Sequence, residues 1–213
     1  MGPGLTLGAL MQSAIAICNV ALTTYLGARS ITALGEPSPE AEQCNLHYDR
    51  VRQSLLQRWA WVFAGTREAL VQMAENDREE TWAYRYTRPA KMIAVRWVND
   101  LAVAKLAMSR GITPDSPREM TAGSIYSDVP GAHIEFTRDA EDPTEFPPAF
   151  ADAFAASLAA AIAMPITRDA SKVKAANDYA RGMLDEAMVL DFNSRPATEQ
   201  TFYPPQLQVR GFV

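Results

Sequence analysis

Helical periodicity stands at both ends of this chain and strand periodicity in its middle, and that order restricts the fold more than any single motif. From about residue 11 to 26, Met11, Ile15, Cys18, Leu22 and Leu26 step by three and four residues, and Gly27 is placed to end the helix. Ser38-Pro39-Glu40 supplies an N-cap serine, a proline at the first helical position and an acid in the first turn. A second helix is therefore predicted over 39–58, with Cys44, Tyr48, Val51 and Leu55 on its apolar face. Near the other end, Phe150, Phe154, Leu158 and Ile162 form one stripe of an alanine-rich helix over 149–164, which Pro165 is expected to stop. The last helix, 169–192, carries Val173, Ala176, Ala180, Met183, Ala187 and Leu190 at alternating steps of three and four, an a/d seam.

Between these pairs the period changes. Trp59, Trp61 and Phe63 step by two, as do Trp82, Tyr84 and Tyr86, with Pro89 closing the second run. Residues 125–128 and 133–137 read as strand, turn, strand about Val129-Pro130-Gly131. Residues 93–110 fit either a strand pair or a helix using Val98, Leu101, Lys105 and Met108, and 111–124 reads as loop. The economical architecture is mainly α with inserted β (α+β). It is a four-helix bundle built from both chain ends, a small inserted antiparallel β domain, and an extended C-terminal tail. The expected boundaries are a flexible 1–10, bundle helices in 11–59, the β domain in 60–145, bundle helices in 146–192 and the tail in 193–213.

Composition narrows the function classes. With 213 residues, 48% hydrophobic and 21% charged, the chain can bury a sizeable core. A net charge of −5 argues against tight wrapping of nucleic acid, which needs clustered Lys and Arg to release counterions. The first charged residue is Arg29, so the basic region of a secretory signal is missing before it. Gln12, Ser13, Asn19, Thr23 and Thr24 would be poorly placed in a spanning helix. A soluble protein with no membrane role is expected. Cys18 and Cys44 lack metal-ligand spacing and read as free buried thiols.

The residues offer little catalytic chemistry. His47 and His133 are the only histidines, and neither sits in a ligand motif. No phosphate-binding glycine loop or nucleophile elbow occurs. Acids gather at Asp77, Glu79 and Glu80 and again at Asp139, Glu141, Asp142 and Glu145, in polar, turn-like surroundings that suit solvated loops. The expectation is a non-enzyme with no cofactor and no metal. The tail is less easily explained by solvation. It carries Phe202, Tyr203, Leu207, Val209, Arg210 and Phe212, the residue types that anchor a docking segment in a partner's pocket. Trp59, Trp61 and Phe63 read as packing at the junction between bundle and β domain.

The order of these pieces resembles a known family. Asn19-Val20-Ala21-Leu22 followed by Leu26-Gly27-Ala28-Arg29-Ser30-Ile31-Thr32-Ala33-Leu34 is similar to the opening of the tail tubular protein A family, the head-to-tail adaptors of tailed bacteriophages. The likeness continues through Tyr48-Asp49, Arg52, Leu55-Leu56, Trp61-Val62-Phe63-Ala64 and Trp82-Ala83-Tyr84-Arg85-Tyr86. It resumes at Phe146-Pro147-Pro148-Ala149-Phe150, Leu158-Ala159-Ala160 and Ala163-Met164-Pro165-Ile166-Thr167, so that it spans 15–192.

The resemblance implies a structural protein of the virion, made in the host cytoplasm. Such adaptors form a dodecameric ring beneath the portal protein and extend the channel for double-stranded DNA, which passes without sequence-specific binding. They also present a surface to the downstream tail, nozzle or stopper protein. It further implies that the C-terminal tail docks on the portal. The alternative from the residues alone is a soluble helical binding or regulatory protein with no virion role. A third option is a hydrolase using Asp139 and Asp142 with a divalent cation.

Overall fold

The computed structural model describes residues 13–195. The expectations for 1–10 and for the docking residues Phe202, Tyr203, Leu207, Val209, Arg210 and Phe212 lie outside the described residues. In chain order the elements are α1 (Ala14–Asn19), a π-helical continuation (Val20–Tyr25), α2 (Pro39–Arg58), a 3-10 turn (Val62–Ala64), β1 (Gly65–Ala69), β2 (Tyr84–Thr87) and β3 (Met92–Asn99). There follow α3 (Leu101–Ser109), β4 (Arg118–Met120), β5 (Ser124–Ser127), β6 (His133–Arg138), a 3-10 turn (Pro143–Glu145), α4 (Pro148–Thr167) and α5 (Ala170–Asn193). The fold is α+β, with two three-stranded sheets ordered β1-β6-β3 and β2-β5-β4.

The described residues divide into two compact units. One comprises residues 13–66, 90–95 and 136–195, and the other residues 67–89 and 96–135. The first is helical, and its core draws on α1 with its continuation, α2, α4 and α5. Alanine explains how α4 comes to lie at the centre. Ala153, Ala155, Ala156, Ala159 and Ala163 are buried beside Phe150, Phe154, Leu158 and Ile162, so neighbours approach its backbone from several sides. An 18-residue window of α4 has a mean hydropathy of 1.7, long and apolar enough to cross a bilayer, and half of that window is buried in this core.

Several local expectations change. Pro165 does not stop α4, which continues to Thr167. Its missing N–H costs one bond near the helix end, and Arg168, at φ 51°, closes the helix by donating its N–H to the Met164 carbonyl. The a/d seam of α5 is not kept: Ala176, Leu184 and Ala187 are buried, whereas Met183 is half-buried and Leu190 exposed. A straight helix drifts relative to a 3.5-residue seam, so the buried line passes to Leu184. The first helix widens into a π turn after Asn19. There the Asn19 carboxamide takes the Ile31 N–H at 2.8 Å and donates to its carbonyl at 2.9 Å, clamping the connector to the helix. As expected, Gly27 takes the left-handed conformation beyond it, at φ 62°.

In the middle of the chain, 93–110 is neither a strand pair nor one helix: strand β3, which holds Val98, is followed by helix α3. Asp100 accepts from the N–H groups of Ala102 and Val103 and starts the helix. Residues 111–124, expected as loop, contain the short β4. β5 and β6, which read as one strand, turn, strand unit, belong to different sheets. β5 pairs antiparallel with β2, Tyr86 opposite Ile125, and with β4, Met120 opposite Ile125. In the second unit the Tyr86 hydroxyl donates to the Val129 carbonyl, fixing the turn at which the chain changes sheets.

Candidate functional site

Trp59, Trp61 and Phe63 are the sequence-predicted residues that the structure describes, and all three pack against the helical unit's core. They do not form a strand, because α2 ends at Arg58, Trp59 is extended, and Val62–Ala64 makes a 3-10 turn before β1 begins at Gly65. The alternation instead sorts the rings. Trp61 is buried and meets the Phe150 ring edge-on with centroids 4.9 Å apart, and Phe63 lies edge-on to both Phe146 and Phe150 at 5.9 and 4.9 Å. Such edge-to-face pairs each add a little beyond burial alone.

The two indole N–H groups have different partners. Trp61 donates to the Leu55 carbonyl at 2.8 Å, in the last turn of α2. Trp59 donates to Asp191 Oδ2 at 2.9 Å, and the Val62 N–H donates to Asp191 Oδ1 at 2.9 Å. Arg195 completes the arrangement, donating to the Ala60 carbonyl at 2.7 Å and to Asp191 at 3.2 Å. Its guanidinium lies over the rings of Trp59 and Phe192, 5.3 and 5.9 Å from their centroids. One carboxylate therefore ties the 59–62 turn to the end of α5, where the tail begins. That tail root is the candidate functional site.

Asp191 and Arg195 were not singled out in the sequence, although a signal was there. An acid in the last turn of a helix opposes the helix dipole, so it stands there at a cost unless a partner holds it. Arg52 was noted only within the family likeness, and its ion pair was not foreseen. It lies on the apolar face of α2, 2% exposed, and is paired with Asp139, with the Ala140 carbonyl at 2.8 Å and with Asp49 at 3.2 Å. A charge inside an apolar stripe signals a buried ion pair.

The acidic loop has structural duties. Asp139 binds Arg52 and Gln53, and Asp142 caps the 3-10 turn through the Thr144 N–H, a bond that holds its carboxyl below the usual range. Among the described residues no group of three or more His, Cys, Asp or Glu side chains stands where it could hold a metal ion. Cys18 and Cys44 are buried and free, and the hydrogen bond between them, with burial, pushes the Cys18 thiol up. In the second unit Glu135 gathers Arg67, Arg96 at 3.2 Å and the Trp97 indole N–H at 2.9 Å. Burial pushes its carboxyl up, but these donors outweigh burial and hold it below the usual glutamate range.

No protein-family model matches the chain, and no curated protein matches it.

Proposed function

We propose that the chain is a head-to-tail adaptor of a tailed virus particle. In this reading it forms a ring, dodecameric in the virion, beneath the portal protein and lengthens the channel through which double-stranded DNA passes. Helices α1, α2, α4 and α5 form its bundle, and Trp59, Trp61 and Phe63 fix the point where the chain leaves that bundle for β1. The role is mechanical, with no reaction and no cofactor. The ordered likeness over 15–192 carries the proposal. The tail root supports it: a docking segment works best from a fixed point, and Asp191 with Arg195 holds the end of α5 to the 59–62 turn. A net charge of −5 per chain, multiplied around a ring, disfavours DNA gripping and suits a lumen through which DNA slides.

The test is to mix the purified chain with the portal protein of the same virus and examine it by native mass spectrometry and negative-stain imaging. Rings stacked on the portal are expected. A chain that stays monomeric beside intact portal refutes the proposal and favours a soluble binding or regulatory protein. If removing 194–213 leaves portal binding unchanged, the docking role of Phe202, Tyr203, Leu207, Val209, Arg210 and Phe212 fails while the ring stands.

A further inference from the structure

Helix α3 is capped at both ends. Asp100 caps the N-terminus at 2.8 and 3.1 Å. At the other end Gly111, at φ 70°, donates to the Met108 carbonyl and Ile112 to the Ala107 carbonyl, the two bonds of a Schellman motif. Nine residues are too few for a stable helix in water without packing, yet only Ala104 is fully buried. Val103, Leu106 and Ile112 are 52–58% exposed, and the charges over 101–112 are Lys105 and Arg110, both basic.

A second exposed apolar patch lies in the other unit, on the last turns of α5. Val189 and Phe192, one turn apart, are 58% and 61% exposed. Asp185 and Glu186 precede Val189 by four and three residues, and no basic residue occurs over 183–193, while the Arg195 guanidinium lies over the Phe192 ring. The α3 patch is flanked by Lys105 and Arg110, and Val189 by Asp185 and Glu186, so the charges beside the two patches are complementary. Two different, complementary surfaces are what a heterologous contact needs, in which one surface of a copy meets a different surface of the next.

We propose that the α3 face of one copy, Val103, Leu106 and Ile112 with Lys105 and Arg110, docks on the acidic end of α5, Val189 and Phe192 with Asp185 and Glu186, of a second copy of this chain. The inference rests on the ring reading and names the surfaces that would make the ring. Each patch offers on the order of 250 Å², about a third of what one partner contributes to a standard interface. The contact is therefore weak between free chains and persists where neighbours are already held together.

The full chain carrying the photocrosslinker p-benzoylphenylalanine in place of Leu106 is mixed at high concentration, half unlabelled and half labelled with ¹⁵N, and the crosslinked peptides are mapped. Crosslinks between differently labelled copies onto residues 183–193 are expected. Asp185→Lys with Glu186→Lys should reduce their yield at least fivefold, and adding Lys105→Glu with Arg110→Glu to the same chain should restore it. Crosslinks confined to one copy, crosslinks onto another region, or a yield indifferent to the charge reversals overturn the proposal. Portal-bound rings that form unchanged with Leu106→Asp overturn it while leaving the ring reading intact. Intermolecular 106-to-α5 crosslinks in a chain that forms no ring on portal uphold the contact and refute the ring.

Discussion

Replacing Trp61 tests whether the ring cluster beneath α4 carries the helical unit. Trp61→Ala removes an indole that is 1% exposed. The side chain withdraws on the order of 180 Å² of apolar surface from water, about 4–5 kcal/mol as an upper value. Large-to-small replacements of buried tryptophan cost about 3–5 kcal/mol, because Phe150 and Phe63 cannot fully close the cavity. The Leu55 carbonyl also loses its donor, although water entering the space can replace it. A loss of about 4–5 kcal/mol would consume much of the roughly 5–15 kcal/mol of a typical domain. At about 2–4 °C per kcal/mol for a chain of this length, the midpoint falls by about 8–20 °C. Trp61→Phe keeps a ring against Phe150 and loses the indole N–H with part of the area, so about 2 kcal/mol is expected. The assay is thermal and urea unfolding followed by far-ultraviolet circular dichroism, which weights the helical unit. A Trp61→Ala protein within 1 kcal/mol of the parent would refute the reasoning, because the indole would then not be packed as described.

Other consequences follow from the same contacts. Asp191→Ala should cost about 2–3 kcal/mol, since the indole of Trp59 and the Val62 N–H both lose a charged acceptor. A double-mutant cycle with Trp59→Phe should show coupling of about 1 kcal/mol in urea unfolding, and additive losses would contradict a direct bond. Arg52→Met should cost about 3 kcal/mol by leaving Asp139 without its buried cation, with Asp139→Asn partly relieving the loss in the double variant. Glu135→Gln should destabilise the second unit by about 1–2 kcal/mol at pH 7. The folded Glu135 carboxyl lies below the ordinary 4.5, so its stabilisation is complete above that value and is lost as pH falls through the folded value. The melting difference between parent and Glu135→Gln should therefore be constant from pH 7 to about 4.5 and shrink below it. A difference that grows on acidification would reverse the assignment.

How far the fold could be read depended on whether a signal was local. α2 carries a cap, a first-turn proline and an apolar stripe that all point the same way, and it begins at Pro39 and ends at Arg58 as its sequence says. α4 was legible in its stripe but not in its end, because Pro165 needed only one missing bond to be tolerated. The ambiguity of 93–110 came from two elements joined without a break, and Asp100 was the cap that separates them. Partner choice was beyond local pattern. Ser124–Ser127 and His133–Arg138 alternate like the arms of one hairpin, yet they belong to different sheets. At the site, the aromatics at Trp59, Trp61 and Phe63 were conspicuous, but their period of two suggested a strand. The side chain that organises the tail root, Asp191, lies more than a hundred residues from the turn that it binds.

The discontinuous helical unit also sets the order in which the chain can fold. The unit takes residues 13–66, loses the chain to the second unit, recovers 90–95, and is completed only by 136–195. Joining ends separated by roughly seventy residues costs about 4 kcal/mol in chain entropy before any contact repays it. During synthesis the N-terminal helices emerge first. Cys18, Leu22, Leu55 and Leu56, all buried in the finished core, must therefore wait in water until α4 leaves the ribosome. A nascent chain stalled before Pro148 would present that face bare, a target for chaperones and a seed for aggregation.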